Sequence, residues 1–529
     1  MAPTGYSFDV AAMTRLKSYV LDAWTDGEGE GSALINPTTE ETVATASTAG
    51  IDRAAMLQHG REVGGPALRA MTFAERGELL KAMSKALHDA REELITASMI
   101  NGGTPRGDAK FDIDGATGTL SYYASLGKKL GDKKYLVEGE GEQLTRSARF
   151  WGHHIKSARR GVAIHINAFN FPAWGLFEKA AVALLAGMPV VTKPGTSTAL
   201  LAHRCMEKIV EADILPKGAL QLLCGSAGDL LEHVGPQDVL AFTGSGDTGA
   251  HLRGMKAVIG NSVRVNIEAD SLNATVLGTD VEVGSEAWHM FIADTAKEIT
   301  QKTGQKCTAT RRIMVPAAKL DAVAEALGEE MGRTQFGAPD ADGVRMGPLA
   351  TKQQLDDVRA GVDRLLSNGC REVWRSSAKP VGAVEGKGFF FAPMLLACDA
   401  PHECATVHAY EVFGPVSTLL PYTDAHDAAA LVARGEGGLV ASIYTDDRNF
   451  LSDALLGIAP WTGRILVGSK KVQGQATGPG VVLPSCVHGG PGRAGGGEEL
   501  GGLRGLDFYS QRTAIQGDRA LLDRVLGLK

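Results

Sequence analysis

The spacing of apolar positions divides this chain into stretches of different character. Leu79, Leu80, Met83 and Leu87 fall on one face of a helix, and Thr72 with Glu75 has the spacing of a capping box at its start. The first hundred residues therefore read as helical packing. Between Leu126 and Lys156 the pattern turns polar and glycine-punctuated, with lysine pairs at 128/129 and 133/134, which predicts a strand-like arm carrying solvated charge. After Gly161 short apolar runs alternate with helix-length segments: VAIHIN, AWGLFEKAAVALLAG, PVVTKP, a helix to about Ala212, LQLLCG, a further helix, and VLAFTGS. Such alternation builds a parallel sheet with helices on both faces. Ligands of open sheets lie beyond the carboxyl ends of the strands, where Asn170, Lys193, Gly225 and Ser245 all fall. A second alternating region runs from about Asn273 past Tyr422 and forms a separate unit, with Cys307 at the start of TATRRIMVP. The glycine-dense stretch HGGPGRAGGGEELGGLRG, from His488 to Gly505, is either a closely packed loop or a low-complexity linker. Leu506, Phe508 and Tyr509 then return the chain to packed structure. No internal repeat of fixed period is evident.

Composition narrows the class. A chain of 529 residues, 44% apolar and 22% charged, is expected to form two or three globular domains. The net charge of -7 comes from 54 basic and 61 acidic side chains that are well mixed, so nothing marks a surface for nucleic acid or anionic membrane. A small soluble substrate fits better. The seven cysteines are odd in number and include no CxxC pair, which argues against a disulfide framework or a zinc knuckle and points to a reducing cytoplasm. No metal is expected. The start MAPTGYSFDV lacks a basic segment followed by an apolar core, and the longest apolar run, about Ala180 to Val191, is shorter than the roughly 20 residues that span a bilayer.

The candidate chemistry centres on GQKCTATRR. Cys307 is flanked by small and polar residues and followed by Arg311 and Arg312, so it reads as a thiol in positive potential that favours the thiolate. The plain alternative is a small buried hydrophobe, the reading given to the other six cysteines. A thiolate attacking an aldehyde creates a tetrahedral oxyanion, which needs preorganised donors such as a side-chain amide and a backbone N–H. Asn170, in the bend made by Pro172, offers the amide or else merely closes a turn. Glu268 ends the alternating run VRVNIE, either as a solvated strand end or as a base able to activate water against a thioester. FTGSGDTG, from Phe242 to Gly249, is a strand followed by a glycine-rich turn into a helix, a geometry that aims backbone N–H groups at phosphate, although it is not the GxGxxG fingerprint. Lys193 closes PVVTKP as a ribose or phosphate contact or as an ordinary surface lysine. None of the thirteen histidines lies in a recognisable motif, which counts against a cysteine hydrolase.

The order NFP, VVTKP, FTGS, Glu268, GQKC, EVFGPV and GGEELGG closely resembles the aldehyde dehydrogenase superfamily over nearly the whole chain. HINAFNFP, GSAGDLL, EADSLN and VHGGPGRAGGGEELGGLR look most like a branch acting on CoA-linked semialdehydes of aromatic catabolism, the benzoate pathway included. The resemblance implies an α/β fold: a Rossmann-type cofactor domain over 1–140 and 158–268, an α/β catalytic domain over 269–472, and a small β oligomerisation arm and tail over 141–157 and 473–529. It also implies that Cys307 is the nucleophile, that Asn170 and the Cys307 N–H form the oxyanion site, and that Glu268 is the deacylating base. Glu499 becomes either a proton relay or a structural hydrogen bond. Lys193 and Glu411 would hold ribose hydroxyls, Phe413 would pack beside the nicotinamide, and Gly244 with Ser245 would lie by the pyrophosphate, Gly225 and Thr248 completing the cofactor set. The chain departs from the family in two places: EADS, with Ala269 and Asp270, replaces the usual ELGG after the base, and Thr196 stands where many NAD-preferring members carry glutamate. Removing that carboxylate removes repulsion of a 2'-phosphate, so NADP is expected over NAD. A CoA-linked aldehyde substrate, a homodimer or dimer of dimers, and a cytoplasmic location complete the implied picture. A CoA-acylating dehydrogenase, in which free CoA replaces water, is the nearest rival, and a non-catalytic binding protein is a more distant one.

Overall fold

Two seven-stranded sheets carry the chain, and the five residues between them, 269–273, determine where the chemistry sits. The computed structural model describes residues 14–528. In the first sheet Arg264–Glu268, Val239–Thr243, Ala163–Ile166, Val190–Lys193 and Leu220–Leu222 lie side by side and parallel. The strand order reverses between Ala163–Ile166 and Val239–Thr243, the crevice where open sheets bind nucleotides. Short, wholly buried strands and the apolar helix Trp174–Ala186 are what a sheet covered on both faces requires.

The N-terminal region is less helical than its sequence pattern predicts. Residues 14–46 form five short strands, and helices begin only at Arg53. Ser18–Val20 and Ala23–Thr25 extend the first sheet as an antiparallel edge, Tyr19 pairing with Leu222. Strands of three to five residues are too short to show a period, and the edge they form is completed by the distant Leu222. The capping box does form: Thr72 Oγ1 accepts from Glu75 N at 3.2 Å and Glu75 Oε2 accepts from Thr72 N at 2.7 Å, opening the helix Phe73–Asp89.

The second sheet runs Arg371–Arg375, Met394–Ala397, Val416–Tyr422, Arg312–Pro316, Ala274–Leu277, Gly438–Tyr444, Thr462–Gly468, parallel except for its first strand. A separate antiparallel sheet joins Leu136–Gln143, Phe150–Ala158 and Ser510–Asp518. The helix Arg106–Leu130 takes in the start of the polar stretch from Leu126, and the first strand of this sheet begins at Leu136.

The glycine-dense tail is packed, not a linker. Val487–Gly490 and Gly497–Leu500 form an antiparallel ribbon lying against the end of Arg264–Glu268. A Cβ added at Gly495 or Gly497 would stand 2.3 or 2.4 Å from the Ile267 carbonyl oxygen, so only glycine allows this approach. Among the described residues no helix is long and apolar enough to cross a membrane.

Candidate active site

Asn170 follows the strand Ala163–Ile166 in a bend that a buried carboxylate fixes from the neighbouring helix. Asp112 accepts from Trp174 N at 2.7 Å and caps the helix Trp174–Ala186. The Asn170 amide donates to the Gln305 carbonyl at 3.0 Å, which ties the bend to the nucleophile loop. An amide carries two donor hydrogens, so one remains for an oxyanion.

The loop before Cys307 has an unusual backbone. Lys302, Thr303 and Gly304 are consecutive left-handed residues at φ 52, 57 and 67°. Non-glycine residues adopt this conformation at about 1–2 kcal/mol each, so the surroundings must hold it. Thr303 Oγ1 donates to the Gly347 carbonyl at 2.9 Å, and Lys302 Nζ lies over the Phe171 ring at 4.2 Å. Beneath the loop, fully buried Lys306 donates to Glu298 at 2.7 Å and to Gln301 at 2.9 Å. Asn273, at the end of the inter-sheet linker, donates to the carbonyls of Cys307 at 2.7 Å and Ala309 at 3.0 Å.

Cys307, Asn170 and Glu268 line one narrow cavity, together with Lys179 and His488. It shares Phe111, Trp174 and Val482 with a broad, open vestibule lined by Gly107, Gly115 and Gly118 of the helix Arg106–Leu130. Glu268 ends its strand beside Thr243 and is buried. His488 Nε2 lies 3.0 Å from the Glu268 carboxylate and 4.0 Å from Cys307 Sγ. Burial alone would raise the Glu268 carboxyl, but His488, Lys179 and the Cys307 hydrogen bond outweigh it and hold the carboxyl below its usual range. The His488 imidazole is raised above its usual value because Glu268 outweighs the opposing effect of burial.

The positive potential expected from Arg311 and Arg312 is not delivered to the thiol. Arg311 donates to Glu411 and to the Gly304 and Gly414 carbonyls, while Arg312 donates to the Leu272, Leu431 and Val432 carbonyls and contacts His408. Burial, then the neighbouring Glu268 charge, pushes the Cys307 thiol well above its usual range. The arginine that does lower it is Arg464, from the second sheet. No motif in the sequence marks a histidine partner for the thiol, yet His488 stands beside it, reached through the ribbon.

Behind Glu268 lies a knot of buried charge. Glu178, Glu268 and Glu499 offer oxygens within 4.8 Å of one another, and Lys179 lies 3.0 Å from Glu178 and 3.3 Å from Glu499. Burial, followed by the neighbouring carboxylates and against Lys179, pushes Glu499 up to about 7. Its other oxygen accepts from Asn266 Nδ2 at 2.8 Å. Glu499 and His488 are cross-strand partners in the ribbon.

The expected cofactor residues fall into two groups. Lys193 Nζ donates to Thr196 Oγ1 at 3.4 Å, and Thr196 donates to the Gly225 carbonyl at 3.1 Å, so these three form one half-buried cluster at the strand ends. Ser245, after Gly244, caps the helix Gly246–Arg253 and donates to Thr248 Oγ1 at 2.9 Å. Asp270 accepts from Gly246 N at 3.0 Å, placing a carboxylate on the helix N-terminus expected to face the pyrophosphate. Glu411 already accepts from Arg311 Nε at 3.0 Å and Ser271 N at 3.1 Å. Phe413 meets Phe169 edge-on with ring centroids 6.0 Å apart.

The chain belongs to the aldehyde dehydrogenase family, whose model matches residues 24–515. It is 45% identical over 479 residues to 3,4-dehydroadipyl-CoA semialdehyde dehydrogenase of Aromatoleum evansii, covering 90% of this chain and 93% of that one. A 177-residue stretch, 34% of this chain and 52% of the relative, is 43% identical to the protein MaoC of Klebsiella aerogenes. Among solved structures, lactaldehyde dehydrogenase of Escherichia coli has a TM-score of 0.83 at 23% identity over 96% of this chain and 99% of that one. An NAD-dependent aldehyde dehydrogenase of Sinorhizobium meliloti has a TM-score of 0.81 at 23% identity over 98% and 97% of the two chains. These structural likenesses establish the fold.

Proposed function

We propose that this enzyme oxidises a CoA-linked semialdehyde, of the 3,4-dehydroadipyl-CoA type, to the free acid with NADP. The observation that carries the reading is the convergence of Cys307, Asn170 and Glu268 on one cavity. The Cys307 thiolate attacks the aldehyde carbon to give a thiohemiacetal. Asn170 and the Cys307 N–H hold the oxyanion, and its collapse expels hydride. Bound NADP supplies the hydride acceptor. Glu268 then takes a proton from the water that hydrolyses the Cys307 thioester, and Glu499 with Lys179 stands behind it as a proton reservoir. A buried carboxylate beside the thiol supports hydrolysis over transfer to free CoA.

Lys193, Thr196 and Gly225 suit the adenosine ribose, with the Lys193 ammonium and the Thr196 hydroxyl where a 2'-phosphate would lie. Support for a CoA-linked substrate comes from the 45%-identical relative and from the cavity shape, a narrow inner chamber opening on a broad vestibule. Exposed Leu144 and Phe150 on the arm and Leu521 and Val525 on the last helix suit a homodimer. The cofactor domain, catalytic domain and arm take the expected roles, with the arm starting at Leu136.

The test measures kcat/KM for free aldehydes and CoA-linked semialdehydes with NADP and NAD, and identifies the product with and without added CoA. Preference for NADP and a CoA-linked aldehyde, with release of a free acid, is expected. Formation of a new CoA thioester that requires added CoA would overturn the hydrolytic reading.

A further inference from the structure

Six of the cysteines take no part in the reaction proposed above, and a cysteine that acts only as a small hydrophobe has no need of another beside it. Three of the six nevertheless meet. The sulfurs of Cys370, Cys398 and Cys404 lie within 4.8 Å of one another, and all three residues are buried. They come from separate elements at one edge of the second sheet: Cys370 precedes the strand Arg371–Arg375, Cys398 follows Met394–Ala397, and Cys404 precedes the helix Ala405–Ala409.

The sheet register singles out one pair of the three. Arg371 and Ala397 are antiparallel partners, so one step further along the ladder Cys370 stands opposite Cys398, and opposed residues share a face of the sheet. The Cys370 N–H donates to the Leu365 carbonyl and the Cys398 N–H to the Leu419 carbonyl, so neither donates to the other cysteine. In such a non-hydrogen-bonded pair the Cα atoms stand about 4.5 Å apart, inside the roughly 4.4–6.8 Å that a disulfide spans. Cys404 is held differently, its thiol donating to the Asn368 carbonyl at 3.0 Å.

The surroundings favour an uncharged product. Leu365, Leu396 and Val407 belong to the same buried apolar cluster as the three cysteines. Three thiolates around a monovalent or divalent cation would leave net negative charge among these side chains, at high cost. The candidate fourth ligands nearby in the chain are engaged elsewhere: Asp399 accepts from Arg371 at 2.8 and 3.0 Å, His402 lies 2.7 Å from Asp427, and His408 is held between Arg312 and the Pro401 carbonyl. A disulfide carries no charge. The path from solvent is short, because the flanking residues Gly369, Arg371, Asp399 and Glu403 are exposed.

We propose that Cys370 and Cys398 form a redox-modification site, at which a hydroperoxide converts the two thiols to a reversible disulfide. The site is separate from the aldehyde chemistry and does not depend on it. With hydrogen peroxide the steps balance as follows. The Cys398 sulfur attacks one peroxide oxygen, the O–O bond breaks, and the other oxygen leaves with the thiol proton as water, so that Cys398 becomes a sulfenic acid. The Cys370 sulfur then attacks the Cys398 sulfur, the S–O bond breaks, and the sulfenic oxygen departs with the Cys370 proton as a second water. The two thiols together give up two electrons and two protons. The shared hydrogen bond supports Cys398 as the sulfur that attacks first: donation from Cys370 holds the Cys398 thiol below its usual range and pushes Cys370 above it. The new bond ties the antiparallel edge strand Arg371–Arg375 to its neighbour Met394–Ala397, and thiol reductants reopen it.

Peptide mapping of the full-length enzyme tests the proposal. The protein is treated with hydrogen peroxide, unfolded in N-ethylmaleimide to block the remaining thiols, and digested without reduction by trypsin and an endoproteinase that cuts before Asp399, which separates Cys398 from Cys404. Mass spectrometry of the wild type is expected to show the Cys370 and Cys398 peptides cross-linked, lighter than the two thiols by two hydrogens and separated by dithiothreitol. Exposed Cys486 serves as the internal control for peroxide exposure. Oxidation of Cys486 with Cys370 and Cys398 both recovered as maleimide adducts would overturn the proposal, and so would a cross-link that carries Cys404 in place of either partner. In Cys370→Ser the Cys398 sulfenic acid has lost its partner, so its capture by dimedone is expected to rise several-fold over the wild type; no rise would remove Cys398 from the role of first attacker. Metal analysis closes the remaining route. Zinc or copper at one atom per chain, with all three thiols protected from maleimide until the metal is chelated, would make the cluster a thiolate metal site and overturn the disulfide.

Discussion

The proposed nucleotide groove and the proposed acyl chamber are built by different rules. In the groove the contacts are short in sequence: Lys193 with Thr196, and Ser245 with Thr248. These groups are half-buried or exposed. In the chamber Asn170, Glu268, Cys307 and His488 come from four elements; His488 lies against both Cys307 and Glu268, and Asn170 is tied to the Cys307 loop through the Gln305 carbonyl. A groove made of local turns can change cofactor preference through one side chain. A chamber of mutually dependent buried charges cannot lose one member without disturbing the rest.

Breaking the chamber is therefore expected to give the largest effects. Glu268→Gln removes the deacylating base, so steady-state turnover should fall by about 100- to 10,000-fold, with a smaller loss in the reduced-cofactor burst. Equal losses in burst and steady state would assign Glu268 to acylation alone and erase the division of labour. Asn170→Ala should lower the burst rate by about 100- to 1000-fold through loss of an oxyanion donor. Substrate affinity should change much less, and a loss confined to KM would show that Asn170 only ties the bend to Gln305.

The same division governs how much can be read from the sequence. The groove is legible because strand, turn and helix follow one another, and the structure keeps Lys193, Thr196 and Gly225 together. Most of the alternation after Gly161 is legible for the same reason, although the helix expected between LQLLCG and VLAFTGS is only a short 3-10 turn at Leu230–His233; the strands of residues 14–46 are not legible, being three to five residues long, with Tyr19 paired to the distant Leu222. In the chamber Asn170, Glu268 and Cys307 stand out in the sequence, but the electrostatics do not. Arg311 and Arg312 look like the cations that activate the thiol, yet both are spent on backbone carbonyls, and Arg464 takes that place. His488 escapes a sequence reading because it arrives through a ribbon that only glycines permit; the dense runs at 489/490 and 495–497 are the available signal. Glu178 and Lys179 leave a trace too, as adjacent charges in the otherwise apolar segment AWGLFEKAAVALLAG. Charges retained on such a helix face a polar interior, and here they face Glu499.

On the groove side a single side chain should be enough to change specificity. Thr196→Glu places a carboxylate beside the expected 2'-phosphate and leaves the strand ends intact, so kcat/KM with NADP should fall by about 10- to 100-fold while the value with NAD is maintained or rises. Equal losses with both cofactors would mean that the Lys193–Thr196–Gly225 cluster supports the fold instead of reading the ribose.

The smallest expected effect lies where the two regions meet. Asp270 sits two residues beyond Glu268 and its carboxylate accepts from Gly246 N at 3.0 Å, at the start of the helix Gly246–Arg253. A diphosphate docking on that helix N-terminus needs the same N–H, and the helix dipole favours either anion there. Asp270 would thus compete with a bound diphosphate for this N–H, and its departure would shift the linker that follows Glu268. Asp270→Asn keeps the shape and an acceptor oxygen but removes the charge. NADP should bind about two- to fivefold more tightly, in line with the roughly 0.3–1 kcal/mol that a charge gains at such a terminus. Calorimetric titration with NADP reads this directly. Weaker binding would show that Asp270 helps to hold the cofactor, and the linker would then be a fixed wall between groove and chamber rather than a part that cofactor binding moves.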